Sequence, residues 1–98
     1  MASYLLKLFV TGQTPRSLRA IGNLRQICQE ELPAACELEI IDVLEKPQLA
    51  EDHKILATPT LIRELPLPVR RIVGDLSDTK QVLLGLELDG RERNGEEQ

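Results

Sequence analysis

Residues 4–18 read YLLKLFVTGQTPRSL, and this stretch decides the fold. Tyr4 to Val10 is dense in Leu, Phe and Val with Lys7 as its one charge, which predicts a strand buried on both faces. Thr11-Gly12-Gln13-Thr14-Pro15 then turns the chain: Gly12 can take a positive φ, Thr14 can cap a helix, and Pro15 suits its first position. Leu18, Ile21, Leu24, Ile27, Cys28 and Leu32 follow at three- and four-residue spacing. That spacing predicts an amphipathic helix of about four to five turns, ended by Pro33. Leu38 to Val43 alternates as a second strand. Strand, helix and strand in so short a span make a βαβ unit with parallel neighbours.

Working outward, Pro47 opens a short helix over Gln48 to Lys54. Pro59, Pro66 and Pro68 then punctuate a region with β-favouring Thr58, Thr60 and Ile62, and Val69 to Val73 reads as another strand. Asp75 or Ser77 can cap a helix after it. The last apolar segment, Val82 to Leu88, fits two templates. As a helix it sets Leu76, Val82, Leu83 and Leu86 inward behind a cap at Asp78, with Gln81 three residues on. As a strand it alternates Val82, Leu84, Leu86 and Leu88 with smaller or charged residues. Gly85 costs roughly 1 kcal/mol in a helix and weakens a strand as well, so periodicity leaves the choice open. From Asp89 to Gln98 there is no apolar residue, which predicts a solvated tail (89–98) after one domain (1–88).

Composition narrows the function. Ninety-eight residues carry 12 Lys+Arg against 16 Asp+Glu, a net charge of −4. That balance argues against nucleic acid, which asks for a basic face. No apolar run is long enough to span a membrane, and the start of the chain lacks the pattern of a secretion signal, so a cytoplasmic protein is expected. With only one Phe, one Tyr and no Trp, the core must be aliphatic.

The βαβ start followed by Ala57-Thr58-Pro59-Thr60-Leu61 resembles the thioredoxin fold, which implies a cis proline before the third strand, facing the active site. Thioredoxin chemistry also needs a cysteine pair at the N-terminus of the first helix, where the helix dipole stabilises thiolate. Here that position reads Gly12-Gln13-Thr14-Pro15-Arg16-Ser17, without sulfur. Cys28 and Cys36 lie elsewhere, in neither redox nor zinc spacing, and are read as reduced packing residues. His53, the only histidine, lacks companions for a metal and reads as a solvated helix end. Ser17 has no histidine nearby to activate it and suits first-turn hydrogen bonding. Asp42 and Asp75 can pair only through tertiary placement. No cofactor or catalytic site is expected. What is left is surface chemistry, with Lys7, Arg19, Lys54, Arg63, Arg70 and Arg71 as a basic fringe on an acidic body.

Longer blocks carry a closer resemblance. Gln48-Leu49-Ala50-Glu51, Lys54 to Leu61, Leu65-Pro66-Leu67-Pro68-Val69-Arg70-Arg71-Ile72 and Gly74-Asp75-Leu76-Ser77-Asp78 are similar to the KaiB family. With Leu6-Lys7-Leu8, Gly12, Thr14-Pro15 and Ile41-Asp42-Val43, the likeness covers about residues 4–88. Related sequences form the N-terminal domain of the clock kinase SasA. The resemblance implies a non-enzymatic, metamorphic α/β protein. Its isolated form is a homo-oligomer, usually a tetramer, of order βαββααβ; its thioredoxin-like monomer of order βαβαββα docks on the N-terminal ATPase ring of phosphorylated KaiC. The complex captures KaiA, favours KaiC dephosphorylation, recruits CikA and competes with SasA.

Residue by residue, the resemblance makes Lys7, Arg19, Lys54, Arg70 and Arg71 the partner-binding candidates. Gly85 and Glu87 match positions where substitution tips the fold balance, inside the segment whose periodicity is ambiguous. Pro59, Pro66 and Pro68 join them as fold-switch candidates, because a proline isomer change costs only ~0.5–1 kcal/mol yet takes tens to hundreds of seconds. If ~1% of molecules are competent, apparent affinity falls about 100-fold. The chain departs from the cyanobacterial pattern at Glu39, where Lys is usual, at Glu37, where a neutral residue is usual, at Phe9 for Tyr and at Thr11 for Ala. Such rim changes act on partner choice more than on fold. They imply a KaiC-type partner of compensating charge, with an hourglass timer or stress module in an organism without KaiA as the alternative role.

Overall fold

A computed structural model describes residues 4–31 and 36–86. Its element order is β1 (Tyr4–Val10), α1 (Pro15–Glu30), β2 (Cys36–Asp42), α2 (Pro47–Asp52), β3 (Thr60–Leu65), β4 (Arg70–Val73) and α3 (Thr79–Leu86). Of the two orders implied by the resemblance, this is βαβαββα. The strands form one sheet of order β2-β1-β3-β4, parallel between β1 and β2 and antiparallel elsewhere. Pro33, Glu87 and the 89–98 tail, on which expectations were placed, lie outside the described residues. No helix among the described residues is long and apolar enough to cross a membrane.

The turn into α1 forms as its residues dictate. Gly12 takes φ +52 and its N–H donates to Asp42 Oδ1 at 3.0 Å, tying the β1–α1 turn to the end of β2. Thr14 Oγ1 accepts from the Ser17 N–H, and Pro15 sits at the first helical position, where its missing N–H costs nothing. Ser17 is buried and its Oγ accepts from the Thr11 N–H at 3.1 Å, the first-turn role expected of it.

Side-chain alternation along β1 splits the core in two. Leu6, Leu8 and Val10 face α1 and α3, meeting Ala20, Leu24, Ile27, Val82 and Leu86 in the larger cluster. Phe9 points the other way, onto Ile41 and Ile62 under α2, with Leu49 and Ile55 packed against them. Burying each such side chain contributes about 1.5–3 kcal/mol. One residue of the predicted stripe departs: Leu18 is 53% exposed, and Ser17 and Ala20 take the inward positions instead.

The undecided segment is a helix over its described part, to Leu86. The Gln81 N–H donates to Asp78 Oδ1 at 3.2 Å and the Val82 N–H to the Asp78 carbonyl, so the cap expected at Asp78 forms. Leu76, Val82 and Leu86 are buried, and Leu83 packs at the edge of the larger cluster. Leu76 reaches that place with φ +63, a strained value for a leucine, which its burial offsets.

Candidate functional site

Two surfaces answer to the sequence expectations. The first is the corner where β1 turns into α1. The Thr58–Pro59 peptide is cis, as are Leu65–Pro66 and Leu67–Pro68, and the Pro59 carbonyl accepts from the Gly74 N–H. The Thr58 hydroxyl is hydrogen-bonded to the Thr11 hydroxyl. A shallow hollow of about 250 Å³, lined by Thr11, Val43, Ala50, Ile55 and Thr58 among others, opens beside them. Hydroxyls therefore occupy this corner, and none of its residues is a thiol.

The second surface is the sheet face that α2 covers in part. In register, Lys7 lies beside Glu39 on β2 and Ile62 on β3, and Arg71 lies beside Ile62 from β4. Lys7 Nζ donates to Glu64 Oε1 at 3.2 Å, while His53 Nε2 lies 3.1 Å from Glu64 Oε2. His53 Nδ1 faces the Leu49 carbonyl at 3.0 Å, and its ring centre lies 5.2 Å from that of Phe9. Both ring nitrogens thus face oxygens. Partial burial works to raise the Glu64 pKa, but the bonds from Lys7 and His53 outweigh it and hold the carboxyl below its ordinary value.

Arg71 closes the same corner. Its guanidinium donates to the carbonyls of His53 and Lys54, at 2.8 and 3.1 Å, satisfying the chain where it leaves α2. Lys54 there takes φ +54 and points into solvent. Lys7, Lys54 and Arg71 are therefore brought together around His53 and Glu64. Arg19 and Arg70 are not part of this group. Arg19 sits on α1 and pairs with Asp75 at 3.3 Å; Arg70 is half-buried on the α1–α3 side, in register with Arg63.

Two sequence readings need correction. Arg63 is no surface cation: it is 3% exposed, and its guanidinium donates to the Leu86 carbonyl at the end of α3 and to the Pro68 carbonyl at 2.7 Å. A cation at a helix C-terminus complements the helix dipole, and the sequence holds no sign of this because Arg63 and Leu86 are far apart in the chain. His53 is half-buried and bonded rather than solvated, for the reasons just given. Cys28 and Cys36 are free and pack against the larger core cluster, as read, and the fold sets their sulfurs 2.9 Å apart. Asp42 and Asp75 do not pair. Asp42 serves the backbone N–H groups of Gly12 and Leu44, and Asp75 holds Arg19 and the Ser77 N–H. The Ser77 and Arg19 contacts hold the Asp75 carboxyl below its usual value. Of the fold-switch candidates, Gly85 lies on α3 against Ile72, and Glu87 is outside the described residues.

The model of the KaiB domain family matches residues 7–88. The chain belongs to the KaiB family. The circadian clock oscillator protein KaiB of Prochlorococcus marinus strain MIT 9312 is 58% identical over 86 residues, covering 88% of this chain and 82% of that protein. Its counterpart in Synechococcus elongatus is also 58% identical, with 88% and 84% covered. Among solved structures, the N-terminal domain of Synechococcus elongatus SasA superposes with a TM-score of 0.74 at 29% identity, over 94% of this chain and 89% of that one. Chloroplastic thioredoxin z superposes at 0.72 with 21% identity, over 91% and 80%. That likeness is of fold: this KaiB family member has the thioredoxin-like architecture, with hydroxyls in the corner where the sulfur chemistry would sit.

Proposed function

We propose that the protein is a non-enzymatic circadian clock component that docks on the N-terminal ATPase ring of a phosphorylated KaiC hexamer. By docking, it opposes KaiA-stimulated autophosphorylation where KaiA is present, favours dephosphorylation and recruits CikA. The observation that carries the reading is the match to the KaiB family along residues 7–88. The thioredoxin-like element order is the one the family resemblance ties to the KaiC-bound form, and likeness to the SasA domain supports competition for one site on the ring. Lys7, Lys54 and Arg71, grouped on one face, form the basic rim of the docking surface, with Arg19 and Arg70 contributing from the other side. Glu37 and Glu39 on the adjoining edge strand select a ring of complementary charge. Released from KaiC, the chain repacks its second half around Pro59, Pro66, Pro68, Gly85 and Glu87 and assembles as a homo-oligomer in the cytoplasm. Two packings a few kcal/mol apart suffice for this.

The test is gel filtration of the protein with a cognate KaiC and ATP over several hours. Co-elution with the hexamer that grows with time is the expected result. Separate elution at every time point, with a KaiC shown to be phosphorylated, overturns the reading. A thiol–disulfide turnover assay on the same sample is expected to show none.

A further inference from the structure

We propose that Cys28 and Cys36 are a paired dithiol that closes to an intramolecular disulfide by exchange with a small disulfide of the oxidised-glutathione class. Their Sγ atoms lie 2.9 Å apart, so about 0.9 Å of further approach makes the bond. Each comes from a defined element, Cys28 from the last turn of α1 and Cys36 from the first position of β2, an edge strand of the sheet. Both are half-buried at the rim of the larger core cluster. The fold, and not their spacing in the chain, sets them side by side.

The position is the reverse of a catalytic one. Thioredoxin-type sulfur sits at a helix N-terminus, where the dipole stabilises thiolate; Cys28 sits at the C-terminal end, where it does not. Burial and the bond to Cys36 push the Cys28 thiol up to about 12, so Cys28 keeps its proton at neutral pH. Exchange starts at Cys36, on the edge strand of the sheet. Its thiolate attacks one sulfur of oxidised glutathione, forming a protein–glutathione disulfide and releasing one glutathione thiolate. Cys28 then gives up its proton as its sulfur attacks Cys36 Sγ, and the second glutathione leaves. The protein loses two electrons and two protons, and one oxidised glutathione becomes two reduced ones. A disulfide here staples the end of α1 to the start of β2, closing a short loop, and acts once per molecule without turnover.

The full chain is equilibrated in glutathione buffers of graded oxidation, quenched by acid and read by intact mass. The expected product is a monomer lighter by two hydrogens, with a melting temperature about 10 °C above that of the reduced protein. Native conditions should favour closure roughly 10- to 100-fold more than 8 M urea does, because a disulfide that stabilises the fold is itself stabilised by it. Cys28→Ser should take one glutathione at Cys36. Glutathione retained on the wild-type chain, disulfide-linked dimers, two persistent thiols, or closure no more favourable in buffer than in urea would each overturn the proposal. The wild-type measurements stand without the variant, should the variant fold poorly.

Discussion

Glu64 accepts from the Lys7 ammonium and from the His53 ring, side chains that come from different parts of the chain. A carboxyl held below its ordinary 4.5 stabilises the fold at every pH above that value and loses the contribution as pH falls through the lower, folded value. Glu64→Gln should therefore be less stable than wild type at pH 7, by no more than about 1 kcal/mol because the pair is partly open to solvent. The two should converge as pH falls below the lowered value. Urea midpoints measured from pH 3 to 7 check this; a gap that widens on acidification would contradict it. At this scale local chemistry was legible: Thr14, Pro15, Ser17 and Asp78 do what their types and spacing predict. Arg63 and His53 were not legible, because their partners are Leu86, Pro68 and Glu64, brought near only by strand pairing and helix docking.

At the level of elements, α3 decides the most. Its helix and strand templates were balanced in sequence, and tertiary burial broke the tie. Only a helix sends Val82 and Leu86 together into the cluster lined by Leu61 and Leu8 while leaving Leu84 outside. Gly85 faces β4, and a Cβ there would meet Ile72 Cδ1 at 2.8 Å and Cγ1 at 3.0 Å. Alanine adds roughly 1 kcal/mol of helix propensity, part of which is spent turning the flexible end of Ile72 aside. Gly85→Ala alone should stabilise by less than 1 kcal/mol and speed association with KaiC. Adding Ile72→Val, which removes Cδ1, should recover more of the gain than the separate effects sum to. Denaturation of both single variants and the double one measures that coupling. Equal association rates for wild type and Gly85→Ala would count against a helical α3 as the binding-competent form.

For the whole molecule, the arrangement of charge matters more than its sum. The chain is acidic overall, yet Lys7, Lys54 and Arg71 gather on one side of the sheet around Glu64 and His53. If that side meets the KaiC ring, Lys54→Glu should slow association several-fold and flatten its dependence on salt, with the dissociation rate changed less. Lys54 suits the test because its side chain is exposed. Fluorescence anisotropy of labelled protein, followed at low and physiological ionic strength, gives both rates. An unchanged association rate at low salt would remove Lys54 from the interface.

By itself the sequence determined what depends on neighbours along the chain: the βαβ unit, the caps at Thr14 and Asp78, the aliphatic core and the family. These follow from spacing, because hydrophobic period and capping act over a turn or two. Only the tertiary structure decided that α3 is helical, that Arg63 is buried beneath it, that three of five basic candidates share a face, and that two passive cysteines touch. Each of those depends on which residues the sheet order β2-β1-β3-β4 brings side by side. Contacts between distant positions leave no local signature, since their energy is gained only after the chain between them has folded.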